Sequence, residues 1–114
     1  ATISAVRDAM PGRRLVLAFQ PHTYSRTSAL FDDFVRELSR ADVLVLAEIY
    51  AARERNTIGI SSADVAEKIP GAVFCETLPE VTEYLRQNVR EGDVVLTMGA
   101  GDIFRAGEAL LKSE

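Results

Sequence analysis

The sequence predicts an α/β fold, a three-layer α/β/α sandwich of Rossmann-like type on a mostly parallel sheet. Short unbroken apolar runs alternate with amphipathic stretches along all 114 residues. The runs beginning at residues 14, 43 and 72 are spaced by 29 residues each time, close to the ~30 residues of a strand, a crossover helix and a parallel strand. The runs are also apolar throughout rather than at alternate positions, as strands covered on both faces are. Right-handed crossovers then place helices on both sides of the sheet.

Each element has its own justification. Ile3, Val6 and Met10 recur at helical spacing and Pro11-Gly12 stops them, giving a short opening helix. Arg14-Leu15-Val16-Leu17-Ala18-Phe19 is the first strand and residues 20–27 a loop. Over residues 28–40, Leu30, Phe31, Phe34, Val35 and Leu38 form one stripe opposite Asp32, Asp33, Arg36, Glu37 and Arg40, an amphipathic helix. Val43-Leu44-Val45-Leu46-Ala47-Glu48 is the second strand, followed by a loop over 49–59 and a helix from about Ser62 to Ile69, which Pro70-Gly71 ends. Ala72-Val73-Phe74-Cys75 is the third strand, and Thr77-Leu78-Pro79-Glu80 has capping-box spacing ahead of a helix bearing Val81, Leu85 and Val89. After the turn at Glu91-Gly92-Asp93, the fourth strand is Val94-Val95-Leu96-Thr97-Met98, with a loop at Gly99-Ala100-Gly101-Asp102 and a last helix over 103–111.

The chain reads as one domain over 1–114. No apolar run approaches the ~20 residues of a membrane span, and the N-terminus lacks the basic and apolar regions of a signal peptide. A reducing cytoplasm is expected, because Cys75 is the only cysteine and offers neither a disulfide nor a thiolate cluster. A net charge of −4 argues against nucleic acid. Every basic residue is Arg except Lys68 and Lys112, and neither lysine sits in the Gly-x-x-x-x-Gly-Lys-[Ser/Thr] context of a P-loop. No spacing suggests a metal site, no Gly-x-Ser-x-Gly elbow is present, and the first strand lacks the acidic end of a phosphoacceptor domain.

In the commonest doubly wound order the first and fourth strands are neighbours where strand order reverses, and ligands bind beyond their carboxyl ends. That brings Gln20-Pro21-His22-Thr23-Tyr24-Ser25-Arg26-Thr27 to Gly99-Ala100-Gly101-Asp102. Arg26 offers a fork of donors matching carboxylate or phosphate, His22 a further donor, and the free amides of the following helix positive potential. The amides of the glycine-containing loop form a nest for an anion. Plainer assignments stay open at this point: Thr27 as helix cap, Arg26 solvated or paired with Asp33, His22 on a backbone carbonyl, the two glycines allowing a turn, Asp102 as an N-cap. Tyr50-Ala51-Ala52-Arg53-Glu54-Arg55 lies on the same sheet edge, within reach of a ligand, with Arg53 and Arg55 read as solvated.

Phe19-Gln20-Pro21-His22-Thr23-Tyr24-Ser25-Arg26-Thr27 with Leu30-Phe31-Asp32-Asp33-Phe34, Glu48-Ile49-Tyr50-Ala51-Ala52-Arg53-Glu54 and Met98-Gly99-Ala100-Gly101-Asp102-Ile103 resemble, in order, the C-terminal domain of the Mur ligases. The branch most similar joins L-alanine to UDP-N-acetylmuramate, and the likeness covers essentially the whole chain. It implies an ATP-dependent ligase of peptidoglycan precursor synthesis. In such a ligase an N-terminal domain holds the UDP-sugar, a central domain carries the P-loop, ATP and Mg, and this domain closes over the reaction centre. The chain then begins just after the family's His-His-Pro hinge motif and is inactive alone. The implied chemistry is amide formation through an acyl phosphate. His22 and Arg26 would grip the alanine carboxylate or the acyl phosphate, with Thr23, Tyr24, Gly99, Ala100, Gly101 and Asp102 completing the substrate site. No residue is assigned as general base and none as a metal ligand. Thr23 stands where many relatives carry Arg, which removes one basic group. The alternatives are a related ligase that recycles a peptide onto the same UDP-sugar, and a stand-alone anion-binding module.

Overall fold

The computed structural model describes residues 2–99 together with Ile103, Arg105, Ala106 and Glu108. Their elements run α1 (Thr2–Ala9), β1 (Leu15–Gln20), α2 (Tyr24–Ala29), α3 (Phe31–Leu38), β2 (Val43–Ala47), α4 (Ser62–Glu67), β3 (Val73–Cys75), α5 (Leu78–Asn88) and β4 (Val94–Gly99). The sheet order is β3-β2-β1-β4, and every pairing is parallel. The expected three-layer α/β/α sandwich is therefore present, with β1 and β4 adjacent as the doubly wound order requires.

Side-chain alternation along the strands builds two cores. Val16, Ala18, Val45, Ala47 and Cys75 point to the side covered by Val81 and Leu85 of α5 and by Ile103 and Ala106. Leu15, Leu17, Phe19, Leu44 and Leu46 point to the other, where Ile3 of α1, Leu38 of α3, Val65 of α4 and Ile69 meet them. Strand progression reverses after β3, so α5 crosses on the face opposite α3 and α4. A fully buried Val or Leu contributes about 1.5–3 kcal/mol, and residues 15–19 are all buried, which explains the continuous apolar run.

Several boundaries differ from the sequence expectation. The amphipathic segment is two helices, broken at Leu30 (φ −106, ψ 17), whose N–H caps α2 and whose carbonyl accepts from Phe34 N at 2.9 Å. The break lets Phe31, Phe34, Val35 and Leu38 pack on the sheet, with the Phe34 ring tilted against Phe19 at 5.5 Å. Met10 is 46% exposed and takes no part in the core, because α1 ends at Ala9. The helix read over 62–69 stops at Glu67, Val89 is a C-cap, and the third strand starts at Val73. The reciprocal capping box belongs to Ser61 and Asp64; at α5, Glu80 N donates to Thr77 Oγ1, while the Glu80 carboxylate accepts the Thr77 hydroxyl rather than a backbone amide. Of the last predicted helix, Ile103 is a turn, Arg105, Ala106 and Glu108 are helical, and the remainder lies outside the described residues.

Carboxylates tie the amino ends of the strands together. Asp93, whose side chain is 6% exposed, accepts Arg14 Nη2 at 2.6 Å and Arg90 N at 2.8 Å. Asp42 accepts Arg7 Nη1 at 3.0 Å and Leu15 N at 2.7 Å. The Arg14 guanidinium holds the Asp93 carboxyl below its ordinary range, and Arg7 does the same for Asp42. Groups with a lower pKa folded than unfolded bind fewer protons in the folded state, so the stability they give is complete above the unfolded value and is lost as pH falls from there through the folded value. Thermal melts should be flat from pH 7 to 5 and drop below about pH 4. Asp93→Asn should be less stable at pH 7 and lose less on acidification, and an unchanged acid loss would remove Asp93 as its source.

Candidate functional site

β1 and β4 end together, with Gln20 opposite Gly99 in register. The strand ends expected to meet do so at that pair; Ala100, Gly101 and Asp102, the rest of the second loop, lie outside the described residues. Among the described residues the first loop is bonded to the loop after β2. Tyr50 N donates to Pro21 O at 2.9 Å and Thr23 N to Tyr50 O at 2.8 Å, a parallel bridge across His22 and Tyr50. Their rings stack at 5.9 Å with 20° between planes.

The first turn after β1 is helical, not loop. Thr23, rather than Thr27, caps it: Thr23 Oγ1 accepts Arg26 N at 3.3 Å, while buried Thr27 turns its hydroxyl back to Thr23 O at 2.7 Å. Glu54 occupies the same turn. Its Oε1 accepts Ser25 N and its Oε2 accepts Ser25 Oγ, both at 2.7 Å. These bonds, with the positive side of His22, hold the Glu54 carboxyl below its usual range. The amides of Ser25 and Arg26 are thus taken by the chain's own oxygen atoms, which corrects the expectation that they lie free for an anion.

A shallow depression of about 500 Å³ opens there, lined by His22, Thr23, Ser25, Arg26, Ala29 and Glu54. Tyr24 starts α2 but does not line it. The Arg26 side chain is exposed and makes no hydrogen bond or ion pair with the described residues; Asp33 pairs with Arg36 instead. A guanidinium left unpaired beside an imidazole and two hydroxyls can take a carboxylate or phosphoryl oxygen in bidentate fashion. Sequence reasoning assigned no site role to Ser25 or Glu54, although Glu54 ends the stretch 48–54 that resembles the family.

Backbone strain concentrates in these same loops. Among the described residues the non-glycine positions with positive φ are Thr23 (59°), Ala52 (50°) and Arg53 (73°). Each costs on the order of 1–3 kcal/mol and persists only where surrounding bonds fix it. The opposite side of the sheet edge is tied more simply. Glu48 at the end of β2 accepts Ser61 Oγ at 2.8 Å and Ser62 N at 3.0 Å, and its carbonyl accepts Gln20 Nε2 at 3.0 Å.

With that geometry in view, likeness to known proteins is informative. The family model described as "Mur ligase, glutamate ligase domain" matches residues 1–101. The UDP-N-acetylmuramate--L-alanine ligase of Lachnospira eligens is 50% identical over 116 residues, covering 98% of this chain and 25% of that protein. The protein of the same name from Clostridium novyi is 43% identical over 118 residues, covering 100% and 26%. A solved domain from Haemophilus ducreyi, described as from a UDP-N-acetylmuramate:L-alanyl-gamma-D-glutamyl-diaminopimelate ligase, superposes with a TM-score of 0.65 at 19% identity, over 99% of this chain and 78% of that one; that likeness bears on the fold alone. The chain spans about a quarter of the length of the curated relatives it matches. By sequence along nearly its whole length and by fold, the chain belongs to the Mur ligase family and corresponds to its C-terminal domain.

Proposed function

We propose that this is the amino-acid-binding, closing domain of an ATP-dependent ligase that joins L-alanine to UDP-N-acetylmuramate. The observation that carries the reading is the 43–50% identity over essentially the whole chain to proteins of that name, whereas the likeness to the tripeptide ligase rests on fold at 19% identity. On this reading His22 and Arg26 receive the alanine carboxylate or the acyl phosphate with Thr23 beside them, and Gly99, Ala100, Gly101 and Asp102 complete the substrate site. Amide formation through an acyl phosphate builds negative charge on a tetrahedral centre, and oriented donors stabilise it most where water is excluded. Arg26 supplies such a donor set.

The residues present do not fit a nucleotide or metal site of their own. Neither lysine has P-loop context, and among the described residues no group of His, Cys, Asp and Glu could hold a metal ion. ATP and Mg therefore belong to the central domain, the UDP-sugar to the N-terminal domain, and both domains are the partners this one closes upon. No described helix is long and apolar enough to cross a membrane, and a lone buried thiol at Cys75 suits a reducing cytoplasm.

The test compares the chain with the full-length ligase that contains it. ADP release and product formation are measured with L-alanine or with the L-alanyl-γ-D-glutamyl-diaminopimelate tripeptide as acceptor. The full-length protein should turn over L-alanine at least tenfold faster than tripeptide, and the 114-residue chain should neither hydrolyse ATP nor ligate. Preference for the tripeptide, or magnesium-dependent turnover by the chain alone, would overturn the reading.

A further inference from the structure

We infer that Glu54 is a positioning residue for the amino-acid site: together with Tyr50 it clasps the strained turn at residues 21–26 and holds His22 and Arg26 over their shared depression. The inference rests on the reading of His22 and Arg26 as ligands of the amino-acid carboxylate.

Three features converge on this loop. Glu54 accepts both the amide and the hydroxyl of Ser25, the residue immediately before Arg26. Tyr50 contributes two backbone bonds, to Pro21 and from Thr23, and a ring stacked on His22. The loop reaches back in this way only by placing Ala52 and Arg53 at positive φ, with Glu54 N bonded to Ala51 O at 2.9 Å. Every described non-glycine residue at positive φ thus lies either in the clasp or in the turn it holds. Strain of this kind marks a geometry fixed for use. The Ser25 bonds also engage both oxygen atoms of Glu54, and Arg26 forms no ion pair with it although both line the depression. The carboxylate consequently acts on the turn and leaves the guanidinium open. Loss of the clasp should let the turn relax by an ångström or so, a displacement that can cost up to about a hundredfold where a substrate must be oriented.

The experiment uses the full-length ligase with Glu54→Ala, Glu54→Gln, Ser25→Ala and Arg26→Ala, measuring kcat, KM for L-alanine, KM for ATP and melting temperature. Glu54→Ala should raise KM for L-alanine about tenfold while kcat and KM for ATP stay within about twofold and the melting temperature holds. Glu54→Gln keeps an oxygen for the Ser25 amide and should fall between wild type and Glu54→Ala; it also carries the test if the alanine variant fails to fold. Ser25→Ala combined with Glu54→Ala should be no worse than Glu54→Ala alone, since the two residues act through one contact. If Arg26→Ala raises KM for L-alanine and neither Glu54 variant does, the clasp is wrong and the site stands. If Arg26→Ala leaves both KM for L-alanine and kcat unchanged, the site reading itself falls. A fall in kcat and melting temperature with a rise in both KM values would make Glu54 a general structural residue and overturn the proposal.

Discussion

Gly99→Ala should lower the melting temperature of the chain by about 10–20 °C, the largest loss expected of alanine at any of the described glycines. Gly99 sits at φ 120, and a Cβ there would lie 2.1 Å from Gln20 O and 2.9 Å from Gln20 C and N. The obstruction is backbone of the neighbouring strand, so no rotamer change relieves it. The chain must either accept a dihedral that L-residues avoid, about 1–3 kcal/mol, or detach the end of β4 from β1 and lose the Gln20–Gly99 pairing. Gly92→Ala is the matched control. Gly92 has φ 90 and nothing within 4 Å of its would-be Cβ, so it carries strain without collision and should cost about 1 kcal/mol. Equal losses in the two variants would show that β4 yields freely. A clearly larger loss at Gly99 than at Gly92 would show that close approach of the two strand ends, next to the His22 turn, is what the glycine permits.

The parts of this fold legible in the sequence are those where burial repeats with a period. Residues 15–19 are apolar in succession because alternate side chains enter two different cores, and that pattern cannot be mistaken for a one-sided strand. Spacing gave the parallel strands, the neighbouring of β1 and β4 was taken from the commonest doubly wound order, and the meeting of their ends followed from that order. The break at Leu30 was not legible. Leu30 belongs to the apolar stripe, no Gly or Pro marks it, and its two-sided capping role is set by tertiary packing of Phe31 and Phe34.

At the site, His22 and Arg26 could be named because a lone imidazole and an arginine in a hydroxyl-rich loop after a strand are unusual. Glu54 could not be assigned its role by the same means. Its reach to Ser25 depends on left-handed conformations at Ala52 and Arg53, and non-glycine residues give no sign of these. The choice between Thr23 and Thr27 as cap was equally hidden: both carry the hydroxyl, and only the start of α2 at Tyr24 decides between them.

Arg26→Ala in the full-length ligase should lower kcat/KM for L-alanine about ten- to a hundredfold while moving the melting temperature by no more than about 2 °C. The side chain is exposed and bonds to nothing among the described residues, so its removal opens no cavity, and surface changes of that kind stay within about 0.5 kcal/mol. The backbone bond from Arg26 N to Thr23 Oγ1 survives the substitution, so the cap of α2 is kept. A charge-assisted contact to substrate is worth about 1.5–3 kcal/mol, which sets the size of the kinetic loss when the contact persists into the transition state. Among the described residues Arg26 is the one guanidinium lining the depression, so no described neighbour there substitutes for its fork of donors. Arg26→Lys should recover little, because an ammonium group offers a point charge in place of two parallel bonds. Steady-state kinetics in alanine, read beside a thermal melt, separate the outcomes: unchanged kinetics would make Arg26 a solvated helix residue, and a collapse in melting temperature would make it structural.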